Sequence, residues 1–122
     1  MHNLISIVEI PTNSFRRSID FYQSILSISI QVIDVEGTQM GLFTGEEGSV
    51  NVALVHGNDY KPSERGTLVY LNGGEDLQTI LDKIETNGGR IVVPKTEIDP
   101  ENGFFATFMD SEGNKLGLHS FK

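Results

Sequence analysis

The sequence contains no cysteine in its 122 residues. It therefore has no disulfide framework, no thiolate zinc site and no cysteine nucleophile. No apolar run approaches the roughly 18 residues that a membrane helix needs, so a membrane partner is not expected. The first residues lack the basic stretch and small-residue cleavage site of a signal peptide. The default expectation is a cytoplasmic protein.

Basic residues are scarce. Lysine and arginine number 9 against 17 acidic residues, giving a formal charge of −8. Such a surface repels a phosphate backbone, which disfavours nucleic-acid binding. It would favour a cationic ligand, although an acidic surface more commonly serves only to keep a protein in solution.

The length predicts one domain over residues 1–122, long enough to bury about two-thirds of its unfolded surface. Hydrophobic residues make up 38% and charged residues 21%, a composition typical of folded proteins. The first half predicts a strand, a helix capped by Asn13 or Ser14, and three more strands. These strands span Ile5 to Ile10, Ser27 to Val35, Thr38 to Thr44 and Val50 to Val55, and the helix carries the apolar stripe Phe15, Ile19, Tyr22 and Leu26.

The same order returns after a glycine-rich and polar linker, Gly57 to Gly66. Asp76 is expected to cap the second helix, and Asn87-Gly88-Gly89 to end it in a left-handed conformation. That helix carries the stripe Leu77, Ile80, Leu81 and Ile84. The strands around it are Thr67 to Leu71, Arg90 to Lys95, Phe104 to Met109 and Lys115 to Ser120, with a loop at Ile98 to Gly103 and a hairpin turn at Asp110 to Asn114.

The two halves therefore repeat one βαβββ pattern, although their residue identity is weak. We predict an α+β fold of two tandem modules, about 1–60 and about 63–122. Each would form a curved mixed sheet, a half-barrel with its helix on the outer face. One such sheet cannot cover its concave face alone, so each module must meet another, within the chain or across a dimer.

Three segments resemble a known family. They are Val8 to Pro11 followed by Ser18 to Tyr22, then Asp76-Leu77 followed by Gly88 to Ile91 and Pro94, and finally Gly103 to Ala106 with Asp110 to Asn114 and Leu116 to Ser120. Their order and spacing resemble the vicinal oxygen chelate superfamily, the glyoxalase/bleomycin-resistance/dioxygenase fold. The resemblance implies a barrel-like cleft between paired modules, usually completed in a homodimer.

The resemblance also implies where a metal would bind. Metal-dependent members hold a divalent ion with side chains from the first, fourth, fifth and eighth strands, typically His, Gln or Glu. The matching positions here are Ile7, Ala53, Thr67 and Gly117. Three of these residues offer no side-chain donor and threonine is a poor one. We therefore predict no metal at the usual site and no other cofactor.

Strand alternation predicts the other residues of the cleft. Glu9 shares a face with Ile7, and His119 shares one with Gly117. These two side chains could form a general acid/base pair, or only a hydrogen bond or ion pair at the mouth of the cleft. The predicted ligand-binding residues are Asn51, Val55, Thr67, Val69 and Lys115, and Leu71 is expected on the same face as Thr67.

The other histidines and two loops are the remaining candidates. His2 lies near the start of the chain, and His56 at a strand end is expected to face a helix or solvent. Three histidines without H-x-x-x-H or H-E-x-x-H spacing give no independent zinc motif. The loops Asn58 to Arg65 and Glu97 to Asn102 could border the site or be plain surface loops.

Three functions follow. The first is binding of a small organic ligand in a cleft completed by a homodimer, without a metal, as in the bleomycin-resistance type of protein. The second is a lyase, isomerase or dioxygenase of the superfamily, using Glu9 and His119 or a metal at a displaced site. The third is a module that acts mainly through dimerisation or a protein partner.

Overall fold

The computed structural model describes residues 3–122, so His2 lies outside the described residues. Its strands form two four-stranded mixed sheets. The first sheet has the order β1 (Ile7–Pro11), β4 (Asn51–His56), β3 (Thr38–Phe43) and β2 (Ile30–Val35). The second has the order β5 (Tyr70–Asn72), β8 (Lys115–Ser120), β7 (Gly103–Met109) and β6 (Arg90–Asp99). In both sheets the first strand of the module pairs in parallel with the last. This confirms the predicted α+β fold with two βαβββ modules.

The first helix begins at a predicted cap, whereas Leu77 rather than the predicted Asp76 precedes the second. The Asp76 carboxylate, one residue earlier, still accepts the Gln78 N–H at 2.9 Å. Helix α1 (Phe15–Leu26) is capped by Ser14, whose hydroxyl accepts a hydrogen bond from the Arg17 N–H at 3.4 Å. Helix α2 (Gln78–Leu81) is shorter than predicted, and a 3₁₀ helix (Glu85–Asn87) follows it. Gly88 ends that segment in a left-handed conformation with φ of 101°.

Three predicted strand limits were wrong by three residues or more. Ser27 closes α1 with φ of 55°, so β2 begins at Ile30 instead. Strand β5 covers only Tyr70–Asn72, because only these residues pair with Gly117 to His119 of β8. Strand β6 continues to Asp99 and shortens the predicted loop, because the Asp99 carboxylate accepts the next turn's backbone N–H groups.

Both modules contribute to one hydrophobic core behind the sheets. Buried residues of the first module pack in the same cluster as buried residues of the second; they include Ile19, Phe21, Tyr22 and Leu54 from the first, and Leu77, Ile84, Phe108 and Leu118 from the second. The predicted helical stripes supply much of this core. The two modules therefore pair within the chain.

A buried polar cluster at the hairpin turn joins the modules. The fully buried Glu112 carboxylate accepts the backbone N–H groups of Asn13 at 2.8 Å and Ser14 at 2.6 Å. Arg17 Nε donates to the same carboxylate at 2.7 Å. The Tyr22 hydroxyl donates to Asp110 Oδ2 at 2.7 Å. The carboxylates of the predicted hairpin turn therefore hold the first turn of α1 and the Tyr22 hydroxyl.

Within residues 3–122, no helix combines the length and the apolar character that crossing a membrane requires.

Candidate functional site

Alternation along β1 and β8 separates a core face from a concave face. Leu116 and Leu118 lie in the core cluster, so Gly117 and His119 point the other way. On β1, Ile10 is buried in the core, and Glu9 lies on the opposite, exposed face. This agrees with the alternation predicted for both strands.

Strand β5 has the opposite alternation from the prediction. Leu71 packs against the core and lies in register with Leu118, so its predicted place on the concave face was wrong. Tyr70 lies on that face, in register with Gly117, and its ring covers the glycine. The prediction counted from Thr67, which lies outside the strand.

A large cavity opens on the concave face of the second sheet, and we call it the aromatic cavity. Its volume is about 1050 Å³. Its side-chain walls include Tyr70, Asn72, Glu75, Ile98, Phe105, His119 and Phe121. Tyr70 and Phe105 meet edge to face with ring centroids 6.5 Å apart. Apolar walls with a few polar groups are what a pocket for a small organic molecule requires.

His119 is held in one orientation inside this cavity. Its Nε2 lies 2.7 Å from the backbone oxygen of Asn102, and its ring meets Phe121 edge to face at 4.8 Å. A carbonyl oxygen can only accept, so Nε2 carries the proton in the neutral ring. The Nδ1 atom is then the acceptor that remains for another group.

A second cavity lies between β1 and β8, and we call it the junction cavity. Its volume is about 180 Å³. Among its walls are Glu9, Thr67, Val69 and Lys115, four of the predicted site residues. His119 does not line it, and no residue is shared with the aromatic cavity. The structure therefore places Glu9 and His119 in different cavities, because the junction cavity lies at the start of β8, around Lys115, and His119 lies near the end of that strand.

Two other predicted ligand-binding residues lie apart from both cavities. Asn51 lines a polar depression beside the loop at 45–49. Val55 is fully buried between its strand partners Pro11 and Met40. His56 ends β4, with Nδ1 3.1 Å from the Thr12 backbone oxygen. Alternation placed Asn51 and Val55 on the same strand face as Ala53. It could not predict which residues of that face line a cavity.

The residues at the usual metal positions do not fit a metal. Ile7, Ala53 and Gly117 have no side-chain donor atom, and the Thr67 hydroxyl is a poor metal ligand. A Cβ atom at Gly117 would overlap the Tyr70 ring, so this ring occupies the space that a ligating side chain there would need. Among residues 3–122, no three His, Asp or Glu side chains are grouped closely enough to hold an ion.

The aromatic walls were missed by reasoning from the sequence. Phe105 was predicted only as part of a strand, and Tyr70 and Phe121 were not predicted as site residues. Phe105 alternates with the core residues Ala106 and Phe108, and this signal could have placed it on the concave face. Thr107, two residues further along the same face, has a buried hydroxyl without a hydrogen-bond partner.

Comparison with known proteins gives a consistent result. A family model described as the Glyoxalase/Bleomycin resistance protein/Dioxygenase superfamily matches residues 4–118. No curated protein matches the chain.

Solved structures of similar fold cover nearly the whole chain. A glyoxylase/bleomycin resistance protein/dioxygenase domain from Frankia sp. EAN1pec has a TM-score of 0.76 at 14% identity, with 100% of both chains covered. Glyoxalase I from Leishmania major, described as trypanothione-dependent, has a TM-score of 0.70 at 19% identity, covering 97% of this chain and 86% of that one. A glyoxalase I variant from Zea mays has a TM-score of 0.70 at 17% identity and covers 94% of this chain. This chain spans only 45% of the maize protein. At these sequence identities, the similarity to the solved structures shows that the fold is shared.

Proposed function

The chain belongs to the glyoxalase/bleomycin resistance protein/dioxygenase superfamily, and we propose that it binds a small organic ligand in the aromatic cavity without a metal at the usual position. The observation that carries this proposal is the cavity itself, about 1050 Å³ with mostly apolar walls on the concave face of the second sheet. A volume of this order is at the upper end of small-molecule sites.

The walls favour a ligand with a flat, apolar part. Tyr70 is 47% exposed and Phe121 is 70% exposed, so both rings retain free surface that a ligand could cover. Aromatic rings attract one another edge to face or in offset stacks, beyond the effect of burial alone. Burying this surface would provide much of the binding free energy.

Polar groups at the rim would orient the ligand. The Nδ1 atom of His119 can accept a hydrogen bond, because Nε2 is already used by the Asn102 carbonyl. Glu75 adds an exposed carboxylate to the wall of the cavity. A ligand with a hydrogen-bond donor or a positive charge near its aromatic part would suit both groups.

We also propose that two copies of the chain associate through their concave faces. Ile7 on the first sheet is 60% exposed, and Tyr70 on the second is 47% exposed. Large apolar side chains on a sheet face are stabilised when another surface covers them. The second copy would narrow the open side of the cavity. The third function considered from the sequence, a module acting only by dimerisation, leaves the aromatic cavity without a role.

The ligand site can be tested with 1-N-phenylnaphthylamine, an uncharged aromatic probe that fluoresces in apolar surroundings. We expect saturable binding to the wild-type protein. Tyr70→Ala and His119→Ala should each weaken it by about tenfold, since each removes a contact worth about 1–1.5 kcal/mol.

The matched control is Tyr60→Ala, which removes a tyrosine outside the cavity. Equal affinity in all four proteins would refute the assignment of the site. The proposed absence of a metal is tested separately. The metal content of the purified protein is measured, together with melting curves in the presence of Ni²⁺ and Zn²⁺. One bound metal per chain would overturn it.

A further inference from the structure

The junction cavity collects positive charge in an acidic protein. Lys61, Arg65 and Lys115 line it, which is three of the nine basic residues in a chain of charge −8. Glu9 is the one carboxylate in its walls. A concentration of like charges in a small concave space raises the local electrostatic potential and attracts ions of the opposite sign.

These three cations are not used in ion pairs. The ion pairs among residues 3–122 join Arg16 to Asp20, Arg17 to Glu112 and Lys95 to Asp76. The three cations of the junction cavity are therefore available to bind an anion. Of these, Lys115 lies half-buried on β8.

The loop that supplies two of the cations is fixed to the hairpin turn. Asn114 Oδ1 accepts the backbone N–H of Ser63 at 3.1 Å, and the Ser63 carbonyl accepts the N–H of Lys115 at 3.4 Å. Asn114 Nδ2 also donates to the Pro11 carbonyl at 2.8 Å, which ties the turn to β1. The backbone on three sides of the cavity is therefore held in place before any ligand binds.

The single carboxylate lies close to Tyr60, since its negative charge raises the pKa of the Tyr60 phenol. Among residues 3–122, Glu9 forms no ion pair with any of the three cations.

We propose that the junction cavity binds a small oxyanion, a phosphate or a carboxylate, through Lys61, Arg65 and Lys115, with the hydroxyl of Thr67 as a further donor. Charge-assisted hydrogen bonds from lysine and arginine to such oxygens are the strong kind. The volume of about 180 Å³ suits a group of this size and not a large organic molecule. This site is separate from the aromatic cavity, so it stands whether or not the proposed function holds.

Calorimetric titration of the purified chain in a phosphate-free buffer tests the site. Inorganic phosphate and acetate are titrated separately, with sodium chloride at the same ionic strength as the reference. We expect saturable one-to-one binding of at least one oxyanion beyond the chloride effect, and the stronger of the two identifies the class. Lys115→Gln and Arg65→Gln should each weaken it by about tenfold.

The matched control is Arg90→Gln, which removes an exposed cation from the edge strand β6. It should leave oxyanion binding unchanged. If neither oxyanion exceeds chloride, or if the three variants lose affinity equally, the proposal is wrong. Far-ultraviolet circular dichroism verifies that each variant is folded. If Lys115→Gln does not fold, Lys61→Gln provides another variant of the cavity.

Discussion

At the scale of single residues, Gly117 and Tyr70 decide what the concave face can hold. The glycine leaves a shallow space on β8, and the Tyr70 ring fills it from the neighbouring strand. The side-chain size allowed at each of these two positions therefore depends on the residue at the other. A larger residue at 117 needs the ring to move, and a smaller one at 70 uncovers the glycine.

Substitution of Gly117 by alanine tests this dependence. We expect Gly117→Ala to lower the free energy of unfolding by about 1–2 kcal/mol, because the new methyl group overlaps the ring. In a Tyr70→Ala background the same change should cost less than about 0.5 kcal/mol. Urea denaturation of the four proteins gives the coupling energy, and additive effects would show that the ring does not restrict this position.

At the scale of elements, the hairpin turn after β7 connects the two modules. It makes this connection with buried charge rather than with apolar contact. Burial alone would raise the pKa of Glu112, but hydrogen bonds from Arg17, the Ser14 N–H, Ser111 and the Asn13 N–H outweigh it and leave the pKa below its ordinary value of 4.5. The turn is therefore tied to the start of α1 by an ionised carboxylate.

Removing that charge should weaken the connection between the modules. We expect Glu112→Gln to lower the free energy of unfolding at pH 7 by about 2–4 kcal/mol, because Arg17 and two backbone N–H groups lose their charged acceptor. Denaturation curves measure this loss. The exposed residue Glu64, changed to glutamine, serves as the control.

The pH dependence gives a second measurement on the same pair of proteins. A carboxylate whose pKa is lowered on folding adds stability above its ordinary value of 4.5, and this stability is lost as the pH falls through the folded-state value. The difference in the free energy of unfolding between wild type and Glu112→Gln should therefore be largest at pH 7 and should decrease in acid. A difference that stays constant down to pH 3 would contradict the role of the charge.

At the scale of the whole molecule, the two modules pair within the chain and leave both concave faces open. Their helices and core lie on one side, where the modules share a single apolar cluster. The exposed apolar side chains Ile7 and Tyr70 lie on the other side. A second copy is the partner that would cover them most simply.

Association of two copies predicts a definite mass. Light scattering after size-exclusion chromatography should give twice the 13.5 kDa of one chain. Ile7→Lys should shift the population toward the monomer, because a charge in an apolar contact must be desolvated. The control is Val32→Lys, an exposed residue of β2 that shares its strand face with the core residue Ile30 and so lies away from the concave face. A single-chain mass for wild type at all concentrations would exclude the dimer.

Much of the architecture could be predicted from local patterns. The stripe that includes Ile19 and Tyr22 gave the buried face of α1, and Gly88 gave the end of the second helical segment. The hairpin strand Lys115–Ser120 was predicted with its observed limits. Helical periodicity, alternation and capping are properties of neighbouring residues, so a sequence displays them directly.

The sequence by itself determined the repeat of two modules, the family and the residues at the usual metal positions. Only the tertiary structure decided that Glu9 and His119 lie in separate cavities, that Tyr70 rather than Leu71 faces Gly117, and that three cations surround one space. The physical reason is that strand register and sheet partners depend on contacts between residues far apart in the chain. A shift of one residue in β5 exchanges its two faces, and no local pattern records it.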